Sequence, residues 1–212
     1  FLTQNRDLFD RVILCDLFDT VFQHDPFLTE LGNSLYFNDE GMLISESYVN
    51  SAWIRKGFQS WKKNFDPDLK FDGTLRRNIR KKSVICSGVQ VGPIDLMIKF
   101  CDAMSRSVNN KTFQPYFEHD QAFLNMLIHS GFLQNKINYT IVNPNNNLFT
   151  SIAFFISKIN SGKFVFGNIS RDGGIPAIVH QFDRSEKLCC LVSKVCPNEN
   201  NFYDYSRCKF AC

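Results

Sequence analysis

Apolar runs of strand length and apolar stripes of helical period succeed one another along this chain, and together they predict an alternation of strands and helices. Arg11-Val12-Ile13-Leu14-Cys15 is a short apolar run that ends in acidic residues, which predicts a buried strand with a polar site at its carboxyl end. Asp25-Pro26 then enforces a turn. From about Glu30 to Asp72 the sequence is mixed and aromatic, and it predicts only short helices and loops. Val84-Ile85-Cys86 reads as a second short strand stopped by Ser87-Gly88. Pro93 opens an amphipathic helix, with Ile94, Met97, Ile98, Cys101 and Met104 at helical spacing. A second helix runs from Asp120 to His129, burying Phe123, Leu124, Leu127 and Ile128, with Gly131 placed for its C-terminal cap. Strands are expected at 139–142, 151–156, 163–166 and 177–182, separated by Asn/Pro and Gly-rich turns. Helices and strands alternate early and strands dominate later, so the expected class is an α/β sheet with a mixed edge.

Composition changes this picture little. At 212 residues, 44% hydrophobic and 21% charged, the chain fits one globular domain, or one with a small appendage. The 22 phenylalanines are spread along the whole sequence and are read as core. Net charge is only +3, and the one basic run, residues 76–82, has no second patch or aromatic interleaving beside it. No nucleic acid is therefore expected as partner. No stretch is apolar and long enough to span a bilayer, so no membrane span is expected in this chain.

The cysteines add more. There are eight, and Cys189, Cys190, Cys196, Cys208 and Cys212 crowd the C-terminal end without the paired spacings that zinc prefers. Disulfides and an oxidising compartment fit better. Three sequons, at Asn110, Asn138 and Asn168, agree as N-glycosylation sites. The expectation is a secreted protein or one of the ER or Golgi lumen, with a cysteine-rich tail over 187–212.

Asp16 and Asp19 stand just beyond the first apolar run. By themselves they suit either a turn or a site for Mg²⁺ or Mn²⁺ that would neutralise a diphosphate. His180 by itself is either a strand histidine or a metal ligand. Asp120 caps a helix or touches a ligand, Ser87-Gly88 makes a turn or a close backbone approach, and Asp183-Arg184 forms an ion pair or meets phosphate.

Four segments taken in order resemble a known family. Residues 13–27, with Asp16, Asp19 and Asp25-Pro26, resemble the acidic DxD region of GT-A-fold, nucleotide-sugar glycosyltransferases. Cys86-Ser87-Gly88-Val89 is similar to their strand-turn beside the donor sugar. Asp120-Gln121-Ala122-Phe123-Leu124-Asn125 resembles a helix start of glycogenin-like members, and Ile178-Val179-His180 a late strand bearing a metal-binding histidine. The likeness covers residues 8 to 184 and implies a GT-A-like, Rossmann-related mixed sheet over 1–186 flanked by helices, with a disulfide-rich tail beyond. It implies Mn²⁺ or Mg²⁺ on Asp16, Asp19 and His180, donor contacts from Asp16, Asp19, Ser87 and Gly88, and catalytic sugar-positioning roles for Asp120 and Gln121. The acids are spaced Asp-x-x-Asp, one residue longer than the common form.

Only 15 residues precede Asp16, whereas the family places nucleotide-binding strands and helices before its acids. The expected sheet is therefore incomplete at its N-terminal side, with a protein partner or an N-terminal fragment covering the edge. Two functions follow from the resemblance. One is a metal-dependent transferase, or part of one, moving a sugar from a nucleotide-diphosphate donor to a glycan or glycoprotein hydroxyl. The other is a secreted, non-catalytic relative serving as a structural or binding component of an assembly.

Overall fold

A computed structural model of the chain describes residues 1–61, 73–108, 119–143, 147–152 and 175–195. It is mixed α/β and divides into two compact units, residues 1–13 with 32–141 and residues 14–31 with 142–212. The first unit is built on strands β1 (Arg11–Cys15), β3 (Leu35–Leu43), β4 (Ser83–Pro93) and β5 (Tyr139–Val142), ordered β1-β4-β3-β5. Its helices are α1 (Tyr48–Trp61), α2 (Gly73–Ile79), α3 (Ile94–Val108) and α4 (His119–His129). The second unit carries a three-stranded sheet, β2 (Thr20–Phe22), β7 (Ile178–His180) and β6 (Phe149–Ser151) in that order, and helix α5 (Glu186–Val195). Among the described residues, no helix is long and apolar enough to cross a membrane.

Helix α4 is the centre of the first unit. From Gln121 to Ile128 every residue is buried, including Asn125 with no exposure at all, and the helix packs against α1, α2, α3 and β4. A helix apolar or satisfied all round is a core element rather than a surface one. Asn125 is tolerated there because its amide acts as a strand partner. It accepts from the Ile85 N–H at 2.8 Å and donates to the Ile85 carbonyl at 2.8 Å. Gly131, at φ 79°, ends the segment as a left-handed cap whose N–H donates to Ile128 O. Close packing against α1 depends on Gly57, where a Cβ would stand 2.9 Å from Met126 Sδ.

Several sequence expectations are corrected here. β1 spans the expected residues but is half-buried rather than buried, because it is the edge of its sheet. The stretch after Glu30 holds a nine-residue strand and a 14-residue helix, β3 and α1, not only short pieces. The strand was obscured because β3 buries Asn38 and Glu40 among its apolar residues, which breaks the expected alternation. β4 does not stop at Ser87-Gly88; it continues to Pro93, pairing antiparallel with β3 through Phe37↔Gln90 and Tyr36↔Val91. In α3 the fully buried stripe is Ile94, Met97, Phe100 and Ala103, while Ile98, Cys101 and Met104 are only half-buried. Asp25-Pro26 opens a short 3-10 turn, its carboxylate accepting from the Phe27 N–H at 2.8 Å.

β5 matches its expected span, and β7 lies inside 177–182. β6 begins at Phe149, two residues earlier than expected. The strand expected at 163–166, most of that at 151–156 and the tail beyond 195 lie outside the described residues, as do the sequons Asn110 and Asn168. Asn138 is exposed, its amide donating to Asn33 O at 2.5 Å. Cys15, Cys86 and Cys101 are reduced thiols, and Cys189 and Cys190 are disulfide-bonded.

Candidate metal centre

The second unit is assembled around a short antiparallel pairing. β2 lies against β7 in the register Thr20↔His180, Val21↔Val179, Phe22↔Ile178, and β6 runs parallel on the other side of β7. Val21, Ile152, Val179, Phe182, Leu188, Cys189 and Val192 form its apolar core. Burying Val21 and Val179 contributes about 1.5–3 kcal/mol each, which fixes the register and brings the start of β2 to the end of β7.

That register places three potential ligands together. Asp16, Asp19 and His180 each offer one ligand atom, and these atoms all lie within 4.8 Å of one another. His180 Nε2 is 3.8 Å from Asp16 Oδ2, and His180 Nδ1 is 3.3 Å from Asp19 Oδ1. His180 and Asp19 are buried, whereas the Asp16 side chain is 60% exposed and leaves the cluster open to solvent. Two carboxylates and an imidazole form a donor set that Mn²⁺ or Mg²⁺ accepts, with positions left for further oxygen ligands. On this chemistry the residues fit a divalent ion.

The backbone around the cluster is clamped. Gln181, just after His180, has φ 62° and ψ 34°, the only non-glycine residue with positive φ among the described ones. A residue in this region costs about 1–3 kcal/mol and persists only where its surroundings hold it. They do: the Gln181 N–H donates to Asp19 O at 2.7 Å, and Gln181 Oε1 accepts from Ser151 Oγ at 3.2 Å. The turn that follows carries the adjacent ion pair of Arg184 Nε with Asp183 Oδ1 at 3.6 Å. His24 belongs to structure rather than chemistry, its Nε2 meeting Ile175 O at 3.0 Å.

Cys15 lies next to Asp16; burial pushes its thiol up first, and the charge of Asp16 pushes in the same direction.

The remaining expected site residues lie in the first unit, where they form a cluster. Gln121 Oε1 accepts from the Ser87 N–H at 2.6 Å, while its Nε2 reaches Glu40 Oε1 at 3.2 Å and Asn50 Oδ1 at 3.4 Å. Ser87 Oγ donates to Asp120 Oδ2 at 3.3 Å, and Asp120 Oδ1 accepts from the Gln121 N–H at 2.7 Å. Gly88, inside β4, follows Ser87, its N–H near Cys86 Sγ at 3.4 Å. Ser87, Asp120 and Gln121 are thus brought together with one another, as Asp16, Asp19 and His180 are.

Sequence reasoning passed over Thr20, whose Oγ1 lies 3.1 Å from His180 Nδ1 with both side chains buried. It also passed over Glu40, Asn50 and Gln181. Only the position of Thr20 beside Asp19 could have marked it, because the other contacts are made by the fold. Compared with family models, with curated proteins and with solved structures, the chain matches none, so the site is read from its own geometry.

Proposed function

We propose that this chain is a divalent-metal-dependent glycosyltransferase, or the metal-binding part of one. It would transfer a sugar from a nucleotide-diphosphate donor to a hydroxyl of a glycan or glycoprotein. The observation that carries the reading is the meeting of Asp16, Asp19 and His180, drawn from opposite ends of the chain into one donor set. Those three are the residues that the family resemblance assigns to the ion. Asp16 and Asp19 with His180 would hold Mn²⁺ or Mg²⁺, and a bound divalent ion supplies the positive charge that stabilises a leaving diphosphate.

The chain's own groups do the rest in this reading. Asp16, the exposed member, keeps the centre accessible to a diphosphate oxygen, while buried Asp19 and His180 give it fixed geometry. Asp120 is the exposed acid of the other cluster and takes the sugar-positioning role, with Ser87 and Gly88 as donor contacts. Gln121 supports it by holding the Ser87 backbone. A secretory compartment is part of the same proposal, argued from the eight cysteines and three sequons.

The test is a thermal-shift titration of the full chain with Mn²⁺, then with Mn²⁺ plus uridine and guanosine diphosphate sugars. Mn²⁺ at a hundred times its Kd is expected to stabilise the fold by about 2.7 kcal/mol, and Asp19→Ala is expected to remove that gain. A folded chain indifferent to Mn²⁺ sinks the metal centre. A chain that binds Mn²⁺ but neither takes up nor cleaves any donor sugar is instead the non-catalytic scaffold.

A further inference from the structure

The two nitrogens of His180 face different partners. Nδ1 lies 3.1 Å from Thr20 Oγ1 and 3.3 Å from Asp19 Oδ1, while Nε2 is on the side of exposed Asp16, at 3.8 Å. One imidazole nitrogen can hold a metal ion only where it carries no proton. The proton's position is set by the hydrogen bond that the other nitrogen makes. An unconstrained imidazole carries its proton mainly on Nε2, which would close the side facing Asp16.

We infer that Thr20 is a positioning residue for this centre. Its hydroxyl accepts the Nδ1–H of His180, fixes that tautomer, and leaves the Nε2 lone pair as the one that would serve a divalent ion. The inference rests on the proposed metal centre for its consequence, though not for its geometry. Three features of the fold hold the contact. Thr20 and His180 are directly opposed in the β2–β7 register, where side chains on one face stand about 4.5–5.5 Å apart at Cβ. Both are almost wholly buried, at 3% and 2% exposure, so water does not compete for Nδ1. The left-handed Gln181, tied to Asp19 O, anchors the strand end from which the ring projects. Asp19 on the same side favours a proton on Nδ1 by its charge, and Thr20 supplies the hydrogen bond that orients the ring.

The experiment compares the full chain with Thr20→Val, which keeps a β-branched shape without the hydroxyl, and Thr20→Ser, which restores the hydroxyl. Thr20→Ala replaces the valine variant should that one not fold. Long-range ¹⁵N–¹H NMR of the metal-free protein reads the tautomer of His180, assigned by its loss in His180→Gln among four histidines. Calorimetric titration reads Mn²⁺ affinity. The expected result is an Nδ1–H tautomer in the parent and serine proteins and its loss in the valine variant. Mn²⁺ affinity should fall about tenfold in the valine variant, the lower end for partners that orient metal ligands. An Nε2–H tautomer in the parent, or equal tautomer and affinity in all three proteins, overturns the role of Thr20. Absence of Mn²⁺ binding by the parent overturns the metal centre instead, and the tautomer comparison still judges Thr20 by itself.

Discussion

Two polar clusters in this chain use different residue types to different ends. In the first unit, Gln121 commits both ends of its amide to Ser87, Glu40 and Asn50, and Asn125 commits its own to Ile85. Such groups hold backbone in place, because buried polar atoms with satisfied bonds stabilise only the arrangement they already make. In the second unit, Asp16, Asp19 and His180 converge with ligand atoms in reach of one another and one acid exposed. Two carboxylates drawn together repel, and a cation relieves that repulsion. Amides woven into strands make a scaffold; carboxylates gathered around an imidazole make a site.

The largest expected effect would break the scaffold side of this comparison. Asn125→Ala strands the Ile85 N–H and C=O in a fully buried position, at about 1–3 kcal/mol for each group. The unfolding free energy from chemical denaturation should fall accordingly, by about 3 kcal/mol, while Mn²⁺ affinity of the surviving folded protein stays unchanged. A variant of unchanged stability would show that the Asn125 amide is not holding β4.

A smaller effect concerns pH and again the first unit. Burial lowers the pKa of His129, opposed by its hydrogen bond to Ser83 O at 2.8 Å. A base with a lowered native pKa is neutral in the fold, so its stability is fully present above the unfolded value of about 6.5. As pH falls below that value the unfolded chain takes up a proton that the native state refuses. Stability then drops by at most about 1.4 kcal/mol per pH unit for this one group, until the native pKa is passed. Melting followed from pH 7.5 to 5 should show a shallower acid loss in His129→Gln than in the parent. Parallel curves would remove His129 from the account.

The smallest effect sharpens the site side. Gln181→Gly relieves the left-handed backbone yet loses the bond from Ser151, so stability should change by no more than about 1 kcal/mol. Gln181→Ala loses the bond without relief and should be the less stable of the two. If alanine matches glycine in a melting comparison, no strain is stored beside His180.

Much of the fold was legible in the chain because some residues leave few conformational choices. Arg11–Cys15, Pro93 before α3, Asp120–His129 and Gly131 were each fixed by local chemistry: an apolar run, a missing N–H, a helical stripe, a tolerated positive φ. β3 was not legible, since Asn38 and Glu40 point to burial only once their neighbours are known. The extension of β4 through Ser87-Gly88 was hidden likewise, because the hydrogen bond that holds Ser87 comes from Gln121, distant in sequence.

The same division holds at the site. The sequence nominated Asp16, Asp19 and His180 through the family resemblance; by themselves the two acids suited a turn equally well, and the histidine a plain strand position. Only the tertiary structure decided that Thr20 stands against His180 Nδ1 and that Gln181 bends left-handed beneath it. It also drew Ser87, Asp120 and Gln121 together. The reason is physical: ligand chemistry belongs to residue types, whereas orientation belongs to the register between strands, and β2 and β7 meet only when the chain has folded.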